Sequence, residues 1–520
     1  MPIEVGKIEF GEIDAKNEVL EQDKFGSAIF QNSFLIPPGT DPEKLITGAH
    51  CFIYGQKGCG KTSLLLYVRR LLEDNGAKTK TVLFKSGITE RERQKIAGSG
   101  FALVEQNEAT FIEYDYKINW LWYIYRNLLR LISEEQIFKG WDTVVSLKRL
   151  MGVHGEVNTN LLSDLSTKKI RGFAKAGIKA GPFSGEIQAE IEAISKDGEN
   201  TDIEIIDIVE KYLPDVVLYP RHRSVILFDE LELFWNRTDQ RERDLFLIRD
   251  LLYAVSRVNQ GIGARNVSLG VIASVRSEVL YEVNRVGPEI SRDVSDRGVR
   301  VHWNVKSDEP TQPILQIIER KITASEIEND ELPSKDVWNQ YLPRRIFARD
   351  IKQYLLDISM FKPRNLVSLL SEAKGVAPRS DTISDDALKQ AQAEFSKRAW
   401  TEIEEGLLGE YTSEKVKSIK SILTGYRPKF SVQDLTKRIS ILGSTDPRVR
   451  KAFPVDDDII KMVESLYRLG AIGNIYFAKE RGQQTLRNHW MFRDYYEPLI
   501  DKPFEVHESL RKELQLPFRN

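Results

Sequence analysis

Gly55-Gln56-Lys57-Gly58-Cys59-Gly60-Lys61-Thr62-Ser63 fits G-x-x-x-x-G-K-[ST], the spacing of a phosphate-binding loop. An apolar run, Cys51-Phe52-Ile53-Tyr54, leads into it. Apolar residues at 64, 65, 68, 71 and 72 follow at helical spacing and stop at Asn75-Gly76, a helix-ending signal. Small glycines let backbone N–H groups close around phosphate oxygens, and the helix N-terminus adds partial positive charge. In such a loop residues 55–63 cradle the nucleotide. Lys61 reaches the β- and γ-phosphates, and the Thr62 hydroxyl ligates magnesium. A chance glycine turn carries no such flanking strand and helix.

A second motif supports the first. Arg223-Ser224-Val225-Ile226-Leu227-Phe228-Asp229-Glu230 is an apolar run ending in two carboxylates. A buried parallel strand reads this way when its carboxyl end opens on a ligand crevice. Asp229 is the expected magnesium ligand, directly or through water. Glu230 is the expected general base that polarises the attacking water. Alone, the run would equally describe a buried strand with solvated acids at its end.

The chain has 520 residues, enough for two to four domains. Hydrophobic content of 41% and charged content of 29% are ordinary for a globular protein. The net charge of −2 gives no global case for nucleic acid, so any such surface must be local. No apolar run approaches the ~20 residues of a membrane helix, and the first residues lack the parts of a signal peptide. Of the two cysteines, Cys51 is on the strand and Cys59 in the loop, which a disulfide between them would distort. Reduced thiols and a cytoplasmic location are expected.

The expected fold class is α/β. Residues 1–47 form an N-terminal entry segment beside the nucleotide, and 48–308 a three-layer P-loop core around a parallel sheet. Its strands are expected at 51–54, 81–85, 224–229, 267–275 and 299–303, with helices at 62–74 and about 240–258. An insertion occupies about 95–215. Within it, Trp120, Leu121, Ile124, Tyr125, Leu128 and Ile132 make a helical core stripe. Glycines 172, 177, 181 and 185 argue against a helix and predict a β-hairpin over 168–194. A helical lid with linker helices is expected over 309–405. The last domain, 406–520, reads as a winged helix-turn-helix. Its helices are expected at 413–423, 431–441 and 457–469, with strands 471–478 and 485–492 around a wing at Lys479–Gly482.

The strand order and motifs resemble the additional-strand branch of P-loop ATPases, and more narrowly AAA+-type, STAND-type and ORC/Cdc6-like proteins with a C-terminal winged helix. The resemblance covers roughly residues 20–375 and the final domain. It implies a polar sensor of the γ-phosphate after the acidic strand, at Ser274 or, alternatively, Arg276. It also implies an arginine from the lid, which Phe361-Lys362-Pro363-Arg364-Asn365 places at Arg364. Candidate arginine fingers from a neighbour are Arg292, Arg297 and Arg300, none in an unmistakable position. There is no LSGGQ-like signature and no [NT]KxD guanine-reading motif, so ATP with magnesium is the expected ligand pair.

Residues 410–455 hold ten Lys or Arg against four acids, a surface that suits DNA phosphates. Yet the third helix of the domain opens with Asp456-Asp457-Asp458, which would repel phosphates where a recognition helix enters the groove. DNA and protein both stay open as its ligand. A homo-oligomer and a separate effector protein are the other partners considered, since no nuclease, TIR or protease constellation is present. Two functions compete. One is an ATP-hydrolysing switch or motor acting on the C-terminal domain, in DNA transactions or bacterial antiphage defence. The other is a nucleotide-gated assembly module with little turnover.

Overall fold

A computed structural model describes residues 2–17, 28–90, 93, 101–106, 109–153, 187–188, 201–233, 238–265, 268–287, 289–305, 312–480, 483–493 and 495–517. It is a mixed α/β structure around one parallel sheet of five strands. These are β1 (Phe52–Gly55), β2 (Lys78–Leu83), β3 (Ser224–Leu231), β4 (Leu269–Arg276) and β5 (Gly298–Arg300), in the spatial order β2-β3-β4-β1-β5. Register pairs Ile53 with Ser274 and Leu83 with Asp229. The carboxyl ends of β1, β3 and β4 therefore meet along one edge, where parallel sheets place ligands.

Both faces of the sheet are covered, so its central strands are apolar on both sides. Ile53, Val225, Leu227 and Ile272 pack towards α1 (Lys61–Asp74), while Phe52, Ile226, Phe228 and Val271 pack towards α2 (Lys117–Leu131) and α3 (Thr238–Arg265). The core stripe in the insertion is present and widened: Trp120, Trp122, Tyr125 and Leu128 are all buried. The Trp120 indole N–H donates to the Leu247 carbonyl at 2.9 Å and ties α2 to α3.

Several boundaries differ from expectation. The strand expected at 81–85 ends at Leu83, and Phe84–Gly87 coil into one helical turn. The strand expected at 299–303 is Gly298–Arg300. The helix expected over 240–258 runs for 28 residues. A β-hairpin not foreseen pairs Phe101–Gln106 with Ala109–Tyr114. The hairpin expected at 168–194 lies outside the described residues, apart from 187–188, which are helical.

Residues 313–408 are helical, chiefly α4 (Pro313–Glu328), α5 (Pro363–Val376) and α6 (Asp385–Leu408). The amino-terminal segment joins this layer rather than the sheet. Ile3, Val5, Ile8 and Phe10 are buried in its core, and Val5 N–H donates to the Ser380 carbonyl at 2.8 Å.

The final unit contains α7 (Ser413–Leu423), α8 (Val432–Thr445) and α9 (Asp456–Arg468), then β6 (Ile472–Glu480) and β7 (Gln483–His489). Helices and hairpin follow in the order expected from sequence. A short helix, Pro447–Ala452, and a strand, β8 (Phe504–Val506), were not foreseen. β8 lies between β6 and the two-residue strand Lys429–Phe430 in a four-stranded antiparallel sheet. Trp400, Ile403 and Leu407 of α6 enter the core of this unit, so one helix belongs to two packing layers.

Candidate functional site

The loop between β1 and α1 takes its shape from glycine. Gly58 and Gly60 have φ of +81° and +98°, a region costly for residues with a Cβ. Gly55 is needed for a different reason. A Cβ there would stand 2.7 Å from both Cys59 Sγ and the Val301 carbonyl oxygen. The Trp303 indole N–H donates to the Cys59 carbonyl at 2.7 Å, bracing the loop from the segment after β5. Cys51 and Cys59 are both free and buried, and burial pushes the Cys51 thiol up to about 12.

Over the loop opens a cleft of about 1090 Å³, counting its open mouth. Lys57, Gly58, Gly60, Lys61, Thr62 and Ser63 line one side with Asp229, Glu230 and Ser274. These sequence-predicted residues converge on the cleft, whereas Gly55, Gln56 and Cys59 do not line it. The Lys61 ammonium folds back on the Gln56 carbonyl at 2.9 Å. Asp229 is buried, which raises its pKa, against the opposing pull of the Thr62 and Ser274 hydroxyls and Lys61. Ser274 Oγ is buried beside Asp229 without a well-directed hydrogen bond of its own. Arg364, at the start of α5, reaches the cleft from the lid. It donates to the Ile13 carbonyl at 3.1 Å and lies 3.8 Å from Glu402.

Glu230 sits on a β-bulge. The β3–β4 register shifts between Phe228 and Leu231, and Glu230 has φ +58°. Bulges re-aim side chains beside functional sites. Here the bulge turns the carboxylate out of the sheet towards Ser86, whose backbone N–H donates at 2.8 Å and whose hydroxyl donates at 2.5 Å. The other carboxylate oxygen accepts from the Lys16 ammonium. Burial would raise the Glu230 pKa, but the Lys16 and Ser86 bonds outweigh it and hold it below the usual carboxylate range.

The donor set suits a phosphorylated ligand and a hard cation. Glycine backbone, one ammonium and an open inner face at Gly60, where a Cβ would meet nothing within 4 Å, form the cradle. Thr62 and Asp229 offer a hydroxyl and a carboxylate. Among the described residues no group of three or more His, Cys, Asp or Glu gathers into a metal cage. Magnesium on a nucleotide needs none, since phosphates and water complete its shell. Ser274 Oγ is buried at the same place, beside the Asp229 carboxylate.

Sequence reasoning missed the opposite side of the cleft. Ile13, Phe30, Phe34, Leu35, Ile317 and Val367 give it an apolar end, with Phe34 stacked on Tyr67 at 4.3 Å. Lys16 and Ser86 also went unnoticed. Only the adjacency of β2 and β3 reveals Ser86, because it sets the turn after Leu83 beside Glu230. Arg276 does line the cleft, but its guanidinium is paired with Glu232, which also holds Lys85 at 3.0 Å. Arg292, Arg297 and Arg300 do not line it.

The loop also touches the last unit. Gln56 donates to the Met491 carbonyl at 2.9 Å, and Lys57 lies 3.6 Å from Glu402 of α6. Of the ten cations at 410–455, Lys415, Lys420, Arg427, Lys429 and Arg448 are ion-paired within the unit.

Residues 312–404 match the family of FunZ-associated C-terminal helical domains, a span that corresponds to the helical layer of α4, α5 and α6. A curated relative, the Escherichia coli (strain K12) "Putative transposon gamma-delta 80.3 kDa protein", is 22% identical over 283 residues, covering 52% of this chain. The chain spans 37% of that relative's length. Among solved structures, the Aeropyrum pernix ORC2 protein in ADPNP–ADP complexes aligns with TM-score 0.29 and 13% identity, covering 89% of this chain and 93% of that one. Drosophila ORC bound to DNA aligns with TM-score 0.25 and 10% identity, covering 97% and 87%. No helix among the described residues is long and apolar enough to cross a membrane.

Proposed function

We propose that the protein binds ATP with magnesium and hydrolyses it, and that the nucleotide state is passed to the C-terminal unit. One observation carries the reading: Thr62, Asp229 and Glu230 come from distant segments and meet at the mouth of a glycine-built phosphate cradle. Lys61 and the loop N–H groups hold the triphosphate. Thr62 and Asp229 hold magnesium, which supplies neutralisation of the phosphate charge. Glu230 accepts the proton of the attacking water. Ser274 and Arg364 face the terminal phosphate and sense its presence. The contacts Gln56–Met491 and Lys57–Glu402 lead from the loop to α6 and the last unit, which is read as a winged helix.

Phosphate release with magnesium tests this. Glu230→Gln is expected to keep ATP binding and lose turnover at least ~100-fold, the usual scale for a general base, while Lys61→Ala loses binding. Turnover unaltered in Glu230→Gln would overturn the proposal.

A second reading, a nucleotide-gated assembly module with little turnover, is favoured by the engagement of both Glu230 oxygens by Lys16 and Ser86. For the biological role, a DNA transaction suits a relative named as a transposon protein. Antiphage defence with a separate effector is the alternative. The five cations of 410–455 with no ion pair described above, Lys417, Lys437, Arg438, Arg450 and Lys451, are the DNA surface to test.

A further inference from the structure

The amino-terminal segment does more than fill space beside the cleft. Residues 3–10 ride on the lid: four apolar side chains are buried there. Gly6 N–H donates to the Pro378 carbonyl at 2.7 Å, and the Lys374 ammonium donates to the Ile8 carbonyl at 2.8 Å. Further along, the Ile13 carbonyl accepts from Arg364 of α5. The segment then crosses the cleft, and its next charged side chains are Asp14 and Lys16. Asp14 lies 3.6 Å from the Lys16 ammonium. Lys16 ends on Glu230.

The consequence is steric and electrostatic at once. Glu230 has two carboxylate oxygens. One is taken by Lys16 and the other by two donors from Ser86. Three donors take three of the roughly four lone-pair sites of the carboxylate and fix its orientation between Lys16 and Ser86. Ser86 sits in the helical turn after β2, whereas Lys16 follows the segment that packs on the helical layer, so the two donors reach Glu230 from different parts of the fold.

We propose that Lys16 is a cis-acting restraint on Glu230, which a nucleoside triphosphate releases by offering the ammonium its terminal phosphate as a stronger anionic partner. This rests on the ATPase reading above. While Lys16 and Ser86 hold its two oxygens, Glu230 is not free to turn towards a water. A diphosphate lacks the terminal group and leaves the pair intact. With the triphosphate, Lys16 leaves the carboxylate, and Glu230 is freed to accept a water proton. Lys16 is thus a positioning residue acting through Glu230. It is 22% exposed at its side chain, so its replacement leaves the buried core untouched.

Two measurements test the restraint. The first is steady-state hydrolysis by wild type, Lys16→Ala and Lys16→Arg. Since Lys16 has left Glu230 for the terminal phosphate once the triphosphate is bound, Lys16→Ala is expected to raise the KM for ATP about fivefold, the scale of one partly exposed ion pair, with kcat little changed. Lys16→Arg keeps the charge and restores most of the restraint. A KM for ATP in Lys16→Ala equal to or below wild type overturns the proposal. The second is the rate of amine acetylation at Lys16, read by mass spectrometry without nucleotide, against the exposed Lys397 as an internal standard. Lys16 should label slowly in wild type and several-fold faster in Glu230→Gln. Equal labelling in the two proteins overturns the proposal even if hydrolysis is seen. Absence of phosphate release from every variant sinks the ATPase reading, while protection of Lys16 that depends on Glu230 still upholds the pair itself.

Discussion

The cleft has two walls built on different physical terms. The sheet wall, made of the glycine loop, the ends of β3 and β4, and Trp303, is held by burial: Asp229, Ser274 and Trp303 are each under 6% exposed. The lid wall presents Lys16 and Arg364, whose side chains are 22% and 29% exposed. Lys16 meets Glu230 and Asp14, and Arg364 meets the Ile13 carbonyl and Glu402, each contact worth roughly 0–1 kcal/mol when solvent reaches it. Displacing the first wall means unpacking a core. Displacing the second costs a few weak bonds. The sheet wall is therefore the fixed reference, and the wall bearing Lys16 and Arg364 is the part a ligand can reposition.

If that contrast is right, the largest effect of a small substitution falls on the sheet wall. Gly55→Ala places a Cβ against the Cys59 sulfur and the Val301 carbonyl. One contact is with backbone, so strand and loop must part. Overpacking of this kind costs about 1–3 kcal/mol. Thermal unfolding should show a fall of several degrees, with loss of nucleotide binding. A melting temperature equal to wild type would mean the loop is as soft as the lid.

Trp303→Phe asks less of the same wall. It keeps an aromatic ring but gives up half of the buried indole together with the N–H that satisfies the Cys59 carbonyl. Leaving a buried acceptor unpaired costs about 1–2 kcal/mol. The expected outcome is a smaller drop in melting temperature and nucleotide affinity weakened by about fivefold, read by calorimetry.

The same division explains which features are legible in the chain. The sheet wall comes from segments whose local spacing carries their chemistry: 55–63 and 223–230 announce themselves without knowledge of any distant contact. α2 was legible too, because its buried stripe has helical period. The lid wall has no such grammar. Lys16 is one of many lysines, and its role exists only because residues 3–10 pack on the lid and deliver it across the cleft. Ser86 becomes visible once β2 is known to lie beside β3. The strand expected at 81–85 failed at this point: its apolar pattern runs through Phe84, but Phe84 is buried in a helical turn, and period alone does not tell the two apart. The basic stretch 410–455 shows the opposite error. Its excess charge is obvious in sequence, but acids such as Asp458, Glu505 and Glu513 fold back onto it from outside the stretch.

The smallest expected effect on stability belongs to the lid wall and sharpens the contrast most. Arg364→Ala removes the bond to the Ile13 carbonyl and a 3.8 Å approach to Glu402. Both are partly solvated, so stability should change by less than about 0.5 kcal/mol and the melting temperature should hold. Binding is where the loss should appear. With Arg364 facing the terminal phosphate, ATP affinity should fall about fivefold, the scale of one charge-assisted contact in a wet site, while ADP affinity stays near wild type. Titration calorimetry with both nucleotides reads the difference. Equal weakening of ATP and ADP would mean that Arg364 only ties residues 12–16 to the lid. A large fall in melting temperature would show that the lid wall is packed as firmly as the sheet wall, and the asymmetry between them would be lost.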